Sequence, residues 1–111
     1  MSTPELECTL EVHDGVVWLR LQGALRASGG AALAALVRGH RAAKRAYPVV
    51  ADLTGLEVAD TVGITALRQV LRRFAQASVV LPPPWTQACT IVRTHLADFH
   101  LVDQSNDLDL P

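Results

Sequence analysis

The run Val49–Leu53, VVADL, is nearly all apolar and lies between two stretches whose apolar residues recur at helical spacing. Such a run is typical of a central strand covered on both faces, and parallel neighbours of it must be joined by crossover connections. Upstream, from about Ser28, Leu33, Leu36, Val37, His40, Ala43 and Tyr47 mark one helical stripe, with Arg38, Arg41, Lys44 and Arg45 mostly off it. Ser28 is the expected N-cap and Pro48 the stop. Downstream, Ile64, Leu67, Val70, Leu71 and Phe74 form a second apolar face, opposite Arg68, Gln69, Arg72, Arg73 and Gln76.

The rest of the chain fits around this unit. Leu6–Glu11 and Val16–Leu21 alternate apolar and polar residues across His13-Asp14-Gly15, a strong hairpin signal, and Gly23 is expected to end the second strand. Thr54-Gly55 reads as a turn after VVADL. Ser78–Leu81 reads as a further strand, interrupted by Pro82, Pro83 and Pro84. Pro84 suits the first turn of a third helix, which would run through Trp85, Cys89, Val92 and Leu96. Phe99–Val102 is the last expected strand, and an acidic tail occupies about 104–111. The order β-β-α-β-α-β-α-β predicts an α/β fold: a mostly parallel sheet with an N-terminal hairpin and helices packed on it.

Half of the 111 residues are apolar, enough for one core and one domain over residues 1–111. Aromatic residues make up only 5%, which argues against a base-stacking platform. The formal net charge of −1 excludes an overall basic footprint, so no nucleic-acid partner is expected. Cys8 and Cys89 make no disulfide framework and read as buried thiols of a reducing compartment. The N-terminus lacks the charged and apolar regions of a signal peptide, and no apolar run is long enough to span a membrane. A cytoplasmic protein with no membrane insertion is the expectation.

No enzyme constellation emerges. His13, His40, His95 and His100 show no metal-ligand pairing, and Cys89 has no evident base. Neither a dinucleotide fingerprint nor a phosphate-binding P-loop occurs. Asp98 and Asp103 flank a strand without a glycine-punctuated loop and read as solvated carboxylates. No catalytic residue, metal site or cofactor is therefore expected.

The segment Ala59–Leu67, ADTVGITAL, is different. Asp60 or Thr61 is placed to cap the second helix. Gly63 is odd there, because glycine in a helix costs up to ~1 kcal/mol against alanine; it makes sense if something approaches that turn's backbone closely.

DLTGLEVADTVGITAL resembles the DLSxxxxxDSSGLxxL signature of the STAS domain (sulfate transporter and anti-sigma factor antagonist), and LRLQGAL (Leu19–Leu25) resembles that family's LxGxLD stretch. The element order agrees over nearly the whole chain. The resemblance implies a protein-binding switch, an anti-sigma factor antagonist without catalytic activity. Its partner would be an anti-sigma factor that is also a serine-threonine kinase of the histidine-kinase-like ATPase fold. Thr61 would be the phosphoacceptor, beside Asp60, Val62 and Gly63. Thr65, Arg68 and Arg72 continue the polar side of the helix as a contact stripe, and Arg26 sits on the expected partner-facing loop.

Three departures from the family pattern stand out. DTVG replaces DSSG, with threonine for the first serine and Val62 for the second; Arg26 stands where the family carries aspartate; and the tail after Leu101 is short and shows no final helix. The DTxG form with threonine is also similar to the STAS subunits that contact the ATPase of lipid-transport ABC systems, where threonine is a contact residue without phosphorylation. A small-ligand sensor with a pocket between sheet and helices is a third class, although no polar cluster points to a ligand. The sequence does not set the oligomeric state and leaves a dimer open.

Overall fold

The computed structural model describes residues 5–40 and 47–103. Among these described residues five strands, β1 (Glu7–His13), β2 (Val16–Leu25), β3 (Val49–Ala59), β4 (Ala77–Val80) and β5 (His100–Val102), alternate after the hairpin with three helices: α1 (Ala27–Arg38), α2 (Thr61–Leu71) and α3 (Gln87–His95). The expected element order is the observed one.

The hairpin forms as its turn chemistry requires. Asp14 and Gly15 both take positive φ, 54° and 75°, the combination that matches the right-handed twist of the flanking strands. β1 pairs antiparallel with β2 in an unbroken register from His13↔Val16 to Glu7↔Gln22. β2, β3, β4 and β5 are mutually parallel, and the order across the sheet, β1-β2-β3-β4-β5, is the order along the chain.

That monotonic order decides which faces are covered. Right-handed crossovers that always step the same way put every helix on the same side of the sheet. Val49, Ala51, Leu53, Leu56 and Ala59 of β3 are accordingly buried, as are Val17, Leu19 and Leu21 of β2. The alternate residues Val50, Asp52 and Thr54 are only half-buried. The expectation that β3 is covered on both faces is thus corrected: among the described residues only one face is packed. On the open face Trp18 is 45% exposed beside Val50, and the Arg20 Nε donates to the Asp52 Oδ2 at 3.3 Å.

Two expected strand ends are bulges instead. β2 runs past Gly23, which takes φ 95°, and the register with β3 slips between Gly23 and Ala24. The extra residue of that slip is Glu57 on β3, opposite Gly23 and Ala24, and the positive φ open to glycine lets β2 stay paired through it. Thr54-Gly55 likewise lies within β3, beside a second slip between Arg20 and Gln22. β3 therefore reaches Ala59, directly before the segment of interest.

The helices also differ from expectation at their ends. α1 starts at Ala27 with Arg26, not Ser28, as N-cap, and stops at Gly39, whose amide donates to the Ala35 carbonyl. Leu33 and Val37 are buried, whereas Leu36, at the margin of that stripe, is 40% exposed; Arg41, Ala43, Lys44 and Arg45 lie outside the described residues. In α2 the expected apolar face is the buried one, and Phe74 stays buried just beyond the helix. α3 begins later than expected. Proline imposes extended backbone on the residue before it, so Pro82–Pro84 keep the chain out of the helix until Thr86, leaving Pro84 in a turn and Trp85 83% exposed. β5 opens at His100, one residue later than expected, and the tail 104–111 lies outside the described residues.

Candidate partner-binding site

Parallel topology brings three strand-to-helix joints to one end of the sheet, with Arg26, Asp60 and Thr86 as the N-caps of α1, α2 and α3. Two are chemically complete. The Asp60 Oδ1 accepts from the Gly63 amide at 2.7 Å, and the Thr86 hydroxyl accepts from the Cys89 amide at 3.2 Å while donating to the Pro83 carbonyl at 2.7 Å. Arg26 makes no capping bond. A guanidinium has no acceptor to offer, and its charge meets the positive end of the helix dipole. A capping oxygen at such a position contributes about 0.5–2 kcal/mol, so α1 starts at a disadvantage.

Gly63 now has an account. The Asp60 amide donates to the Leu25 carbonyl at 3.0 Å, which draws the first turn of α2 against the end of β2. A Cβ on Gly63 would lie 2.6 Å from that carbonyl oxygen and 3.1 Å from the Arg26 carbonyl carbon. One turn on, a Cβ on Gly30 of α1 would stand 2.8 Å from the Ala66 Cβ. The close approach expected at Gly63 comes from the protein's own backbone, and the buried glycine offers no side chain to a partner.

A second clamp had no signal in the sequence. The Gln87 side chain accepts from the Ala59 amide and donates to the Ala59 carbonyl, both at 2.8 Å. It satisfies the last residue of β3 as a neighbouring strand would, and ties the start of α3 to the joint before Thr61. Glutamine carries both a donor and an acceptor at one tip, which is what this double bond needs.

On this rigid base several side chains stand free. Thr61 is the first residue of α2, exposed, and its hydroxyl has no hydrogen-bond partner among the described residues. Val62 is 62% exposed, and Thr65 is exposed with its hydroxyl donating to the Thr61 carbonyl at 2.7 Å. Together with Ala66 and Gln69 they line an open groove of about 390 Å³. Arg26 is exposed at the neighbouring joint and Trp85 at the next. Trp85 lies before the helix that its spacing places it in; the prolines preceding it are the signal that it sits outside.

Arg68 and Arg72 belong to a different set of contacts. Their guanidinium groups reach the Asp98 Oδ2 at 3.1 and 3.4 Å, which joins α2 to the turn between α3 and β5. The Arg68 Nε is buried without a partner among the described residues. Asp98 is thus an ion-pair acceptor rather than a free carboxylate, and Asp103 lies 3.8 Å from Arg93. Loss of water raises the Asp98 pKa, but its own backbone amide, the Arg68 charge and the bonds from Arg72 and Arg68 outweigh that and hold it below the usual 3.8. A lowered folded value stabilises the fold above pH 3.8, and that contribution disappears as the pH falls through the folded value. Asp98→Asn is expected to lower stability slightly at neutrality, by little because the pair is exposed, and to converge on the wild type below about pH 4, read by urea melts at stepped pH.

The thiols offer no second centre. Cys8 is half-buried and Cys89 buried, both free, and burial pushes the Cys8 thiol pKa up, away from the reactive thiolate. No group of three or more metal-binding side chains occurs among the described residues, and no described helix is long and apolar enough to cross a membrane. In open α/β sheets ligand crevices form where the strand order reverses; this sheet has no reversal.

The fold and this end of the sheet define a STAS-type domain. Residues 7–105 match the family model for the STAS domain, and the chain belongs to that family. An anti-sigma factor antagonist from Mycobacterium paratuberculosis superposes with a TM-score of 0.74 at 21% identity, covering 96% of this chain and 94% of that one. The anti-sigma factor antagonist SpoIIAA in its unphosphorylated form gives 0.67 at 16% identity, covering 92% and 93%. An uncharacterised protein with a SpoIIAA-like fold from Shewanella loihica gives 0.57 at 14% identity, covering 98% and 94%. A search of curated proteins finds no match. At these identities the neighbours establish the fold.

Proposed function

We propose that this domain is a non-catalytic regulatory module of the anti-sigma factor antagonist kind, switched by phosphorylation of Thr61. The observation that carries this reading is the unpartnered Thr61 hydroxyl, exposed at the head of α2 on a joint held by Asp60, Gly63 and Gln87. A phosphate there adds about −1.5 to −2 charges and three acceptor oxygens. The dipole and free amides of a helix start tolerate it, so the fold persists while the surface changes. Phosphoryl transfer joins the Thr61 Oγ to the terminal phosphorus of ATP, breaks that phosphorus's bond to the bridging oxygen of ADP, and releases the hydroxyl proton to the kinase.

The partner would be an anti-sigma factor that is also a serine-threonine kinase of the histidine-kinase-like ATPase fold. Its contact surface on this chain comprises Arg26, Asp60, Thr61, Val62 and Thr65, and Trp85 extends it. Exposed tryptophan is the residue type most often found carrying interface energy, and Val62 adds an apolar neighbour at the next joint. Arg68 and Arg72 contribute mainly through their tie to Asp98.

The test pairs Thr61→Ala with Thr61→Asp in a titration calorimetry experiment against that kinase. Under the switch reading alanine retains binding, aspartate weakens it at least about tenfold (1.4 kcal/mol), and mass spectrometry finds phosphate on Thr61 of the wild type. Equal weakening by both, without phosphate, overturns the switch and leaves Thr61 a plain contact; binding to the ATPase of a lipid-transport ABC system that both variants weaken, with none to the kinase, favours the second reading.

A further inference from the structure

We propose that Arg26 is the intramolecular counter-ion of the phosphate on Thr61, so that modification joins the β2–α1 joint to the head of α2. The inference rests on the phospho-switch reading and adds to it what the modified surface looks like. Leu25 pairs with Ala59 across the sheet, so Arg26 and Asp60 are the next residues of adjacent parallel strands, and Thr61 follows. Adjacent strands lie about 4.8 Å apart, a span shorter than an extended arginine side chain. The first turn of α2 packs close to the Arg26 backbone: a Cβ added at Gly63 would lie 3.1 Å from the Arg26 carbonyl carbon.

Among the described residues the Arg26 charge is unclaimed. Asp60 beside it is committed through Oδ1 to the Gly63 amide. Glu5 borders the same cleft as Arg26, on the β1 side of α1, and neither carboxylate comes within ion-pair distance. Arg26 also occupies the one helix start of the three that lacks a side-chain cap, where an acceptor would make a more stable domain. A residue that lowers stability at a recognition surface is explained when its chemistry serves binding. A phosphate dianion is the group a guanidinium fork holds best, through two parallel hydrogen bonds.

The consequence concerns the partner. In the unmodified domain Arg26 presents its cation at the joint next to that of Thr61, bordering the cleft on the β1 side of α1. In the modified domain the same cation is turned onto the phosphate. A partner that places an acidic group against Arg26 then loses its counter-charge and meets an anion, two penalties from one modification.

The experiment uses the full chain with phosphothreonine introduced at position 61 during translation, so it needs no kinase. Phosphorus NMR titrations of this protein are compared with those of its Arg26→Ala and Arg26→Lys forms. Arg26 should lower the second phosphate pKa by about 0.5–1 unit relative to Arg26→Ala at low salt, with the gap shrinking at high salt. Arg26→Lys should keep part of the shift, and phosphorylation should raise the melting temperature more with Arg26 than with alanine. Circular dichroism of the unmodified variants verifies that each is folded. Equal phosphate pKa values in the arginine and alanine proteins overturn the proposal and leave Arg26 as a contact for an acidic partner. Failure of the switch itself appears separately, as a kinase that leaves Thr61 unmodified.

Discussion

Gly63→Ala should destabilise the domain by about 3 kcal/mol or more, in the upper range of single substitutions. Helix propensity alone predicts the opposite, because alanine at a helical site gains up to ~1 kcal/mol over glycine. The new methyl group, however, would stand 2.6 Å from the Leu25 carbonyl oxygen and 2.9 Å from its carbon. Both are backbone atoms, so no rotamer change relieves the overlap. To admit the methyl, α2 must lift from the end of β2, which stretches the Asp60-to-Leu25 hydrogen bond of 3.0 Å. Urea denaturation followed by circular dichroism measures the effect, and the corresponding fall in melting temperature is roughly 10 °C or more. A neutral or stabilising result would mean that α2 is free to shift, and that the joint before Thr61 is not rigid.

Leu67→Ala, one turn further along the same buried face, should cost about 2–5 kcal/mol, the usual range for leucine truncation in a core. Leu67 is fully buried, between Ile64 and Val70 on the side of α2 that faces the core. Its loss removes dispersion contacts that packed neighbours cannot fully rebuild. The site should feel it too, since Thr61 is held by the same helix. Amide exchange in the first turn of α2 should therefore rise in Leu67→Ala, whereas Thr61→Ala, on the exposed side, should leave stability within about 0.5 kcal/mol. If the two variants melt alike, the apolar face of α2 is not what anchors the site.

Much of this architecture was legible because local chemistry and tertiary context agree. Asp14-Gly15 dictates its turn wherever it occurs, and the face of α2 from Ile64 to Leu71 can be buried only as a helix. Glycine was harder. Gly23 and Gly55 are turn signals in isolation, yet pairing between β2 and β3 carries both strands through them as register slips. VVADL reads as doubly buried by composition, but coverage depends on the direction of each crossover, a property of the assembled sheet. Trp85 fits a helical stripe by spacing, and only the stiffness of the prolines before it moves it to the surface.

The candidate site divides in the same way. Asp60, Thr61 and Gly63 sit within one turn, so their arrangement follows from local geometry and the motif exposes it. Gln87 bonds a residue 28 positions earlier, and Asp98 draws Arg68 from 30 positions away. Neither partnership leaves a periodic trace. The Arg68–Arg72 half of the polar stripe therefore looked continuous with Thr61 and Thr65, although its guanidinium groups are directed to the turn before β5.

The exposed positions of Trp18 and Trp85 also equip the protein with its own optical markers, since it has two tryptophans in all. Trp85 stands at the joint beside Thr61. Trp18 lies eight residues before Arg26 along β2, about 25 Å away at the rise of a strand. A partner seated on the helix starts should shield the first indole from an aqueous quencher and leave the second accessible. Single-tryptophan forms with phenylalanine at the other position would turn the two emissions into a signal and its internal reference.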